Sequence, residues 1–282
     1  MRYLAPLFAV ALIWMSSFGV AVAQDDDDKG FLTRTIQNAL SGAGRTVSID
    51  GFEGALSSRA SFQRMTISDD EGIWLTLEDV LLDWNRSALL RGRLEVQHLT
   101  AARLDIPRLP QSEAGDDLPE AEATPFSLPD LPVSVDIADF AVDQITLGAQ
   151  LLGEDAELRV QATARLDDAG VTLDIDATRT DAKRGSFVIK GALTREDNLL
   201  DLLVRLSEGE DGIAARLMSI PDRPAVELSI QGTGPLDDLV TDLQLSTDGV
   251  ERLGGEVTLS VQPSRRNDSQ PDRRIQADIG GD

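Results

Sequence analysis

Strict alternation of apolar and polar residues runs through the second half of the chain and constrains its fold more than any other feature. In "GVTLDIDATRT", Gly170 to Thr180, every second residue from Val171 to Ala177 is apolar, and Asp174, Asp176 and Thr178 lie on the other face. A period of two with polar residues on the other face predicts an antiparallel sheet with one dry and one wet side. The same alternation appears in "AELRVQATARL", "SFVIKGAL", "LLDLLVRLS", "AVELSIQG", "LVTDLQLS" and "GEVTLSVQ".

The first half of the chain adds a second pattern, in which apolar spacings of two and three alternate. In "LEVQHLTAARLDIPRL", Leu94 to Leu109, the apolar residues repeat in this way, and residues 137–147 do the same. In the segment "IWLTLEDVLLDW" the alternation of apolar and polar residues changes phase once, at Glu78-Asp79. A spacing of three reverses the faces of a strand unless an extra residue bulges out. Two interpretations stay open, namely bulges that curl one long sheet, or short strands broken by tight turns.

These patterns predict a mainly β fold, an elongated and curled antiparallel sheet with a one-sided apolar groove and few short helices. About fourteen strands at roughly 4.8 Å each would extend some 65–70 Å. Short helices are expected near residues 31–40, 85–92 and 213–219, where apolar residues fall at helical spacing. The predicted groove residues are Leu75, Leu77, Val80, Leu82, Leu94, Val96, Leu104, Ile106, Val160, Leu173 and Ile175.

The composition limits the partners and the chemistry. The chain has 26 Lys and Arg against 49 Asp and Glu, a net charge of −23, and it contains no cysteine. So acidic a surface repels phosphate backbones, and we therefore expect no nucleic-acid partner. The lack of cysteine excludes disulfides, thiolate nucleophiles and cysteine-bound metals.

The N-terminus predicts export from the cytoplasm. Residues 1–23 combine Arg2, a long uncharged apolar stretch and an Ala-Val-Ala ending, as in a cleaved signal peptide or a retained membrane anchor. Residues 24–45 then read as an acidic spacer with a short helix, 46–109 as an N-terminal β region and 110–132 as a disordered linker rich in Pro, Asp, Glu and Ala. Residues 133–282 continue the β-sheet and are apparently truncated. We expect a periplasmic protein associated with the inner membrane.

Enzymatic motifs are absent from the sequence. His98 is the single histidine, which excludes paired-histidine metal motifs. Ser57 and Ser58 lack a nucleophile-elbow context, and "GTGPLDD", residues 232–238, reads as a turn between strands because Pro235 breaks any dinucleotide fingerprint. We predict no enzyme activity, no catalytic residue, no bound metal and no cofactor.

Residues 49–110 carry a resemblance to a known family. The motifs are "G-x-L" at Gly54 to Leu56, "G-x-W-L-x-L" at Gly72 to Leu77 and "L-x-W-x-R-x-A-L-L-x-G" at Leu82 to Gly92. They resemble the N-terminal part of the TamB family, the inner-membrane subunits of the bacterial translocation and assembly module within the AsmA-like superfamily. The segment 232–259 is similar to the repeated strand unit of such proteins, and the likeness is to the alphaproteobacterial type.

The resemblance implies a β-taco, a long sheet curled around a hydrophobic groove. It implies a scaffold that works with an Omp85-type outer-membrane partner, TamA, in inserting outer-membrane proteins such as autotransporters. It further implies the carriage of phospholipids between the inner and outer membranes. Strand pairing with outer-membrane protein clients, without lipid transport, is the alternative function that we expect.

Overall fold

The structure, a computed structural model, describes residues 46–54, 57–110, 133–262 and 272–280. They form one sheet of thirteen strands, which confirms a mainly β fold with few short helices. The strands are β1 Thr46–Asp50, β2 Arg59–Asp69, β3 Gly72–Trp84, β4 Arg93–Ile106, β5 Ser134–Leu147, β6 Ala156–Asp167, β7 Gly170–Arg179, β8 Gly185–Thr194, β9 Leu199–Glu208, β10 Val226–Pro235, β11 Asp238–Thr247, β12 Val250–Gln262 and β13 Asp272–Gly280. The helices are α1 Arg86–Leu89, α2 Ala149–Leu152 and α3 Ile213–Leu217.

The strands lie in the sheet in the order of the chain, and each pairs with its sequence neighbours. Twelve intervals of about 4.8 Å separate β1 from β13 along the sheet, roughly 58 Å. One pair departs from the predicted antiparallel arrangement, because β4 and β5 run parallel. The connection between Ile106 and Ser134 is long enough for the crossover that parallel neighbouring strands require.

The spacings of three are bulges within continuous strands, and the interpretation as short strands broken by turns is wrong. β3 runs unbroken through Glu78 and Asp79, and Asp79 takes a left-handed φ of 50°. The extra residues of β2, β3, β4 and β5 lie opposite one another, so these strands stay in register across the bulge. β6 has no such residues, and its pairing with β5 shifts twice to compensate.

A further bulge in β3 turns Ile73 away from the face that it would share with Leu75 and Leu77 if the alternation were unbroken. The register places Leu75 opposite Ile67 but Ile73 opposite Ser68, so Trp74 is the extra residue. Trp74 packs against the core, whereas Ile73 is 52% exposed rather than in line with Leu75.

Two groups of buried residues hold the sheet together. The larger one joins residues of β1 to β5, and the smaller one joins Ala214 and Ala215 of α3 to Val226 of β10. α1 is one turn and shorter than predicted, and α3 lies where a helix was expected. The predicted signal or anchor segment, the acidic spacer with its helix, and residues 111–132 of the predicted linker lie outside the described residues. Within the described part of the chain, no helix is long and apolar enough to cross a membrane.

Candidate functional site: an apolar floor with a charged end

The register of β6 to β11 aligns apolar side chains into rows that cross the sheet. One row contains Ala162, Ile175, Ile189, Val204, Ile230 and Leu243. The next contains Val160, Ala177, Phe187, Leu206, Leu228 and Leu245. A third contains Ala164, Leu173, Gly191, Leu202 and Gly232. We name this surface, made by the three rows, the apolar floor, and at about 4.8 Å per strand it is roughly 24 Å long.

The apolar floor is only partly covered. Nearly all of its large side chains are partly rather than fully buried, and the described strands belong to a single sheet, with no second sheet packed on this one. At Gly191 an added Cβ would meet no atom within 4 Å, so there is open space above this position of the third row. A contiguous apolar surface that remains accessible to water is a common mark of a binding site.

The predicted groove residues divide between a closed core and this open floor. Leu75, Val80 and Leu104 are buried in one cluster with residues of β1, β2 and β5, and Leu77, Ile106 and Val160 are partly buried and pack against it. Val160 also belongs to the second row of the apolar floor. Val96 is also buried, at 4% exposure, opposite Ile137. Leu82 and Leu94 are partly buried opposite Leu99 and Val135. Leu173 and Ile175 lie on the open floor. The fully buried predicted residues therefore lie in β3 and β4, whereas those of β6 and β7 are all partly buried.

A cluster of charged residues closes one end of the apolar floor. Arg179 and Glu208 occupy positions in their strands that continue the apolar alternation, yet their side chains are only 2% and 6% exposed. Arg179 donates to Glu154 at 3.2 Å and to Asp181 at 2.6 Å, and it lies 3.7 Å from Glu208. Lys183 donates to Glu154 at 2.5 Å. We name these five residues the ionic end cluster.

The charges of the ionic end cluster are mutually stabilised. Burial alone would raise the pKa of Glu154, but hydrogen bonds from Lys183 and Arg179 outweigh it and hold that pKa below its ordinary value. Burial would likewise raise the pKa of Asp181, and the hydrogen bonds from Arg179 and from the backbone N–H of Lys183 lower it instead. Both carboxylates therefore stay ionised well below neutral pH.

The sequence reasoning missed this cluster, although a signal for it was present. Arg179 follows Val171, Leu173, Ile175 and Ala177 in the same alternating phase. Glu208 likewise takes the last position on the apolar face of β9. Two opposite charges at equivalent apolar positions indicate a buried ion pair, since an isolated charge there would be costly.

The residues considered for catalysis lie apart from the floor. His98 Nδ1 is 2.9 Å from Asp139 Oδ2, and both side chains are about half exposed. Ser57 Oγ donates to the carbonyl oxygen of Gly54 within a local turn. The turn that the sequence predicted over residues 232–238 lies between β10 and β11, but it is shorter, since residues 232–235 end β10, Asp238 begins β11 and only Leu236 and Asp237 form the turn. Among the described residues, no group of His, Cys, Asp and Glu could hold a metal ion.

Comparisons with family models, with curated proteins and with solved structures find no match to this chain.

Proposed function

We propose that the chain is a periplasmic transport and assembly scaffold, whose apolar floor shields phospholipid acyl chains or outer-membrane protein strands on their way between the two membranes. One observation carries the proposal: two continuous apolar rows cross β6 to β11 and a third crosses β6 to β10, with no covering layer among the described strands. A protein that only needed stability would bury such a surface, because apolar area left in water forgoes its contribution to folding.

The physical size of the apolar floor supports acyl chains as cargo. Removing one methylene group fully from water contributes about 0.8 kcal/mol, so an acyl segment of about ten methylenes gains at most roughly 8 kcal/mol on the floor. That is enough to offset much of the cost of leaving a bilayer. No reacting group is required, and we propose that the protein is not an enzyme.

The partners follow from the resemblance of residues 49–110 to the TamB family. On this proposal the N-terminal segment associates the chain with the inner membrane, and an Omp85-type protein such as TamA receives the cargo at the outer membrane. The net charge of −23 favours a scaffold that stays free of nucleic acid and does not adsorb along its length to anionic lipid.

Native mass spectrometry of the protein purified from a Gram-negative periplasm tests the proposal. We expect mass increments that match phospholipids, and their release when acyl-chain-binding detergent is added. A protein that carries no phospholipid after purification, and takes up none from vesicles of phosphatidylethanolamine and phosphatidylglycerol, would contradict lipid carriage.

A second candidate function rests on the edge of the sheet. β13 pairs with β12 on one side only among the described strands, and its nine residues present backbone donors and acceptors on the other side. Such an edge can bind an extended client strand by β-augmentation. A lipid-free protein that still binds a peptide from an outer-membrane β-strand would favour this function over lipid carriage.

A further inference from the structure

The connection between β9 and β10, residues 209–225, folds back over one end of the apolar floor, and we name it the strap. It contains α3, whose Ala214 and Ala215 are 9% and 0% exposed. These alanines pack on Val226, with Leu206 and Leu245 of the floor beside them. The strap therefore covers apolar surface that is continuous with the open rows.

The cover made by the strap is thin. The buried side chains of α3 are alanines, which present little area compared with the Leu and Val beneath them. Since apolar stabilisation scales with the area removed from water, the alanines contribute little to holding the strap down. An acyl chain in the same place would bury more apolar surface than they do.

Charged contacts join the strap to two other connections. Arg216 donates to the carbonyl oxygen of Gly153 and to Glu154, both at 2.9 Å. Lys183 donates to the carbonyl oxygen of Asp211 at 2.6 Å. At the start of α3, the backbone N–H of Ala214 donates to Glu208 at 2.5 Å. The ionic end cluster thus holds the strap in place.

The backbone of the strap is also strained. Four of its non-glycine residues take left-handed φ values, namely Asp211 at 56°, Ser219 at 55°, Asp222 at 60° and Arg223 at 47°. This region is disfavoured for residues with a Cβ, so such conformations persist where surrounding contacts impose them. Strain in the closed form lowers the cost of opening.

We propose that the strap is a displaceable cover that gates access to the apolar floor at Leu206, Val226 and Leu245. In the closed form the alanines of α3 occupy this end of the floor, and in the open form a phospholipid acyl chain takes their place. The identity of that cargo rests on the proposed function, whereas the opening of the strap does not.

The natural absence of cysteine allows a direct test of opening. Val226→Cys places a single thiol beneath the strap, where Val226 is 0% exposed, and the rate of maleimide labelling then reports how often the strap opens. Leu239→Cys supplies a reference thiol on β11, 6% exposed and outside the strap cluster.

The perturbing variant is Arg216→Gln, which removes the link between the strap and Glu154. Arg223→Gln is the matched control, because Arg223 pairs with Asp211 at 2.9 Å inside the strap. We expect Arg216→Gln to speed labelling of the thiol at position 226 about tenfold or more, as the loss of charge-assisted hydrogen bonds implies. The thiol at position 239 should be unaffected, and Arg223→Gln should change either rate less than about twofold.

Equal acceleration at both thiols, or none at position 226, would overturn the strap as a separate opening unit. If Arg216→Gln fails to fold by circular dichroism, Lys183→Gln serves instead, since its side chain is 32% exposed and it holds Asp211.

A second measurement connects opening to binding. Vesicles that contain pyrene-labelled phosphatidylethanolamine should bind the Arg216→Gln variant more tightly, by the same factor as its labelling accelerates, because apparent affinity scales with the open fraction. Unchanged binding despite faster labelling would overturn gating. Faster labelling with no lipid binding by any variant would support the displaceable strap and contradict the proposed lipid function.

Discussion

Replacing Arg179 by Met tests whether the ionic end cluster stabilises the fold. The guanidinium donates through Nε and Nη2 to Asp181 and through Nη1 to Glu154, and its side chain is 2% exposed. Met fills similar space but offers no charge. Glu208, Glu154 and Asp181 would then remain close together with one positive partner fewer.

The expected loss of stability depends on which hydrogen-bond partners each carboxylate keeps after the substitution. Breaking a buried ion pair by removing one partner costs about 3–5 kcal/mol, mostly because the other charge stays buried. Here Glu154 retains Lys183 and Arg216, and Glu208 retains the backbone N–H of Ala214. We therefore expect the free energy of unfolding to fall by about 3 kcal/mol, at the lower end of that range.

Urea unfolding followed by circular dichroism measures the change, with Lys190→Met as the matched control. Lys190 lies 2.7 Å from Asp174, but their side chains are 55% and 45% exposed, so the loss should stay below about 1 kcal/mol. The reasoning would be refuted if Arg179→Met cost no more than Lys190→Met.

Two further predictions concern acid and the strap. Because folding lowers the pKa values of Glu154 and Asp181, the stability they contribute is fully present above their unfolded pKa values of 4.5 and 3.8 and is lost as the pH falls through the folded pKa values. The midpoint of urea unfolding should therefore fall only below about pH 5, and it should fall less steeply in Arg179→Met. An equal slope in both proteins would contradict the assignment. Ser219 occupies the left-handed position after α3 that usually favours glycine, so Ser219→Gly should raise the free energy of unfolding by about 1 kcal/mol. Ser207→Gly, near the end of β9, should lower it instead, and a loss of stability in both variants would contradict the strain.

The sequence predicted the strands but not the parallel pair. The alternating residues of β6 to β12 lie where a period of two placed them, because one face is apolar and a slip by one residue would expose it. The spacings in β4 and β5 read two, three, two, three, two in either direction, so they match equally well in parallel and antiparallel pairing. The parallel direction of this pair therefore could not be predicted from the spacings.

The candidate site was predictable in part. Leu173 and Ile175 are on the apolar floor as the alternation required, whereas Leu75, Val80 and Leu104 became closed core. The exposure of an apolar side chain depends on what packs over its row, and the alternation within a strand does not predict this. The ionic end cluster joins the last residues of β7 and β9 to residues of two separate connections, and such contacts arise only after the sheet has aligned them.

The central claim is that acyl chains lie on the apolar floor, and a charge placed there tests it most directly. Leu173→Arg introduces a long cation beside Gly191, where open space allows the side chain to reach water without unfolding the strand. Asp176→Arg places the same side chain on the opposite, exposed face of β7. Photocrosslinking to a phospholipid with a diazirine in its acyl chain provides the readout, with protease resistance as the check on folding. We predict that the wild-type protein and Asp176→Arg crosslink lipid equally, and that Leu173→Arg folds but loses the crosslink. A folded Leu173→Arg that crosslinks phospholipid as well as the wild type would contradict the account.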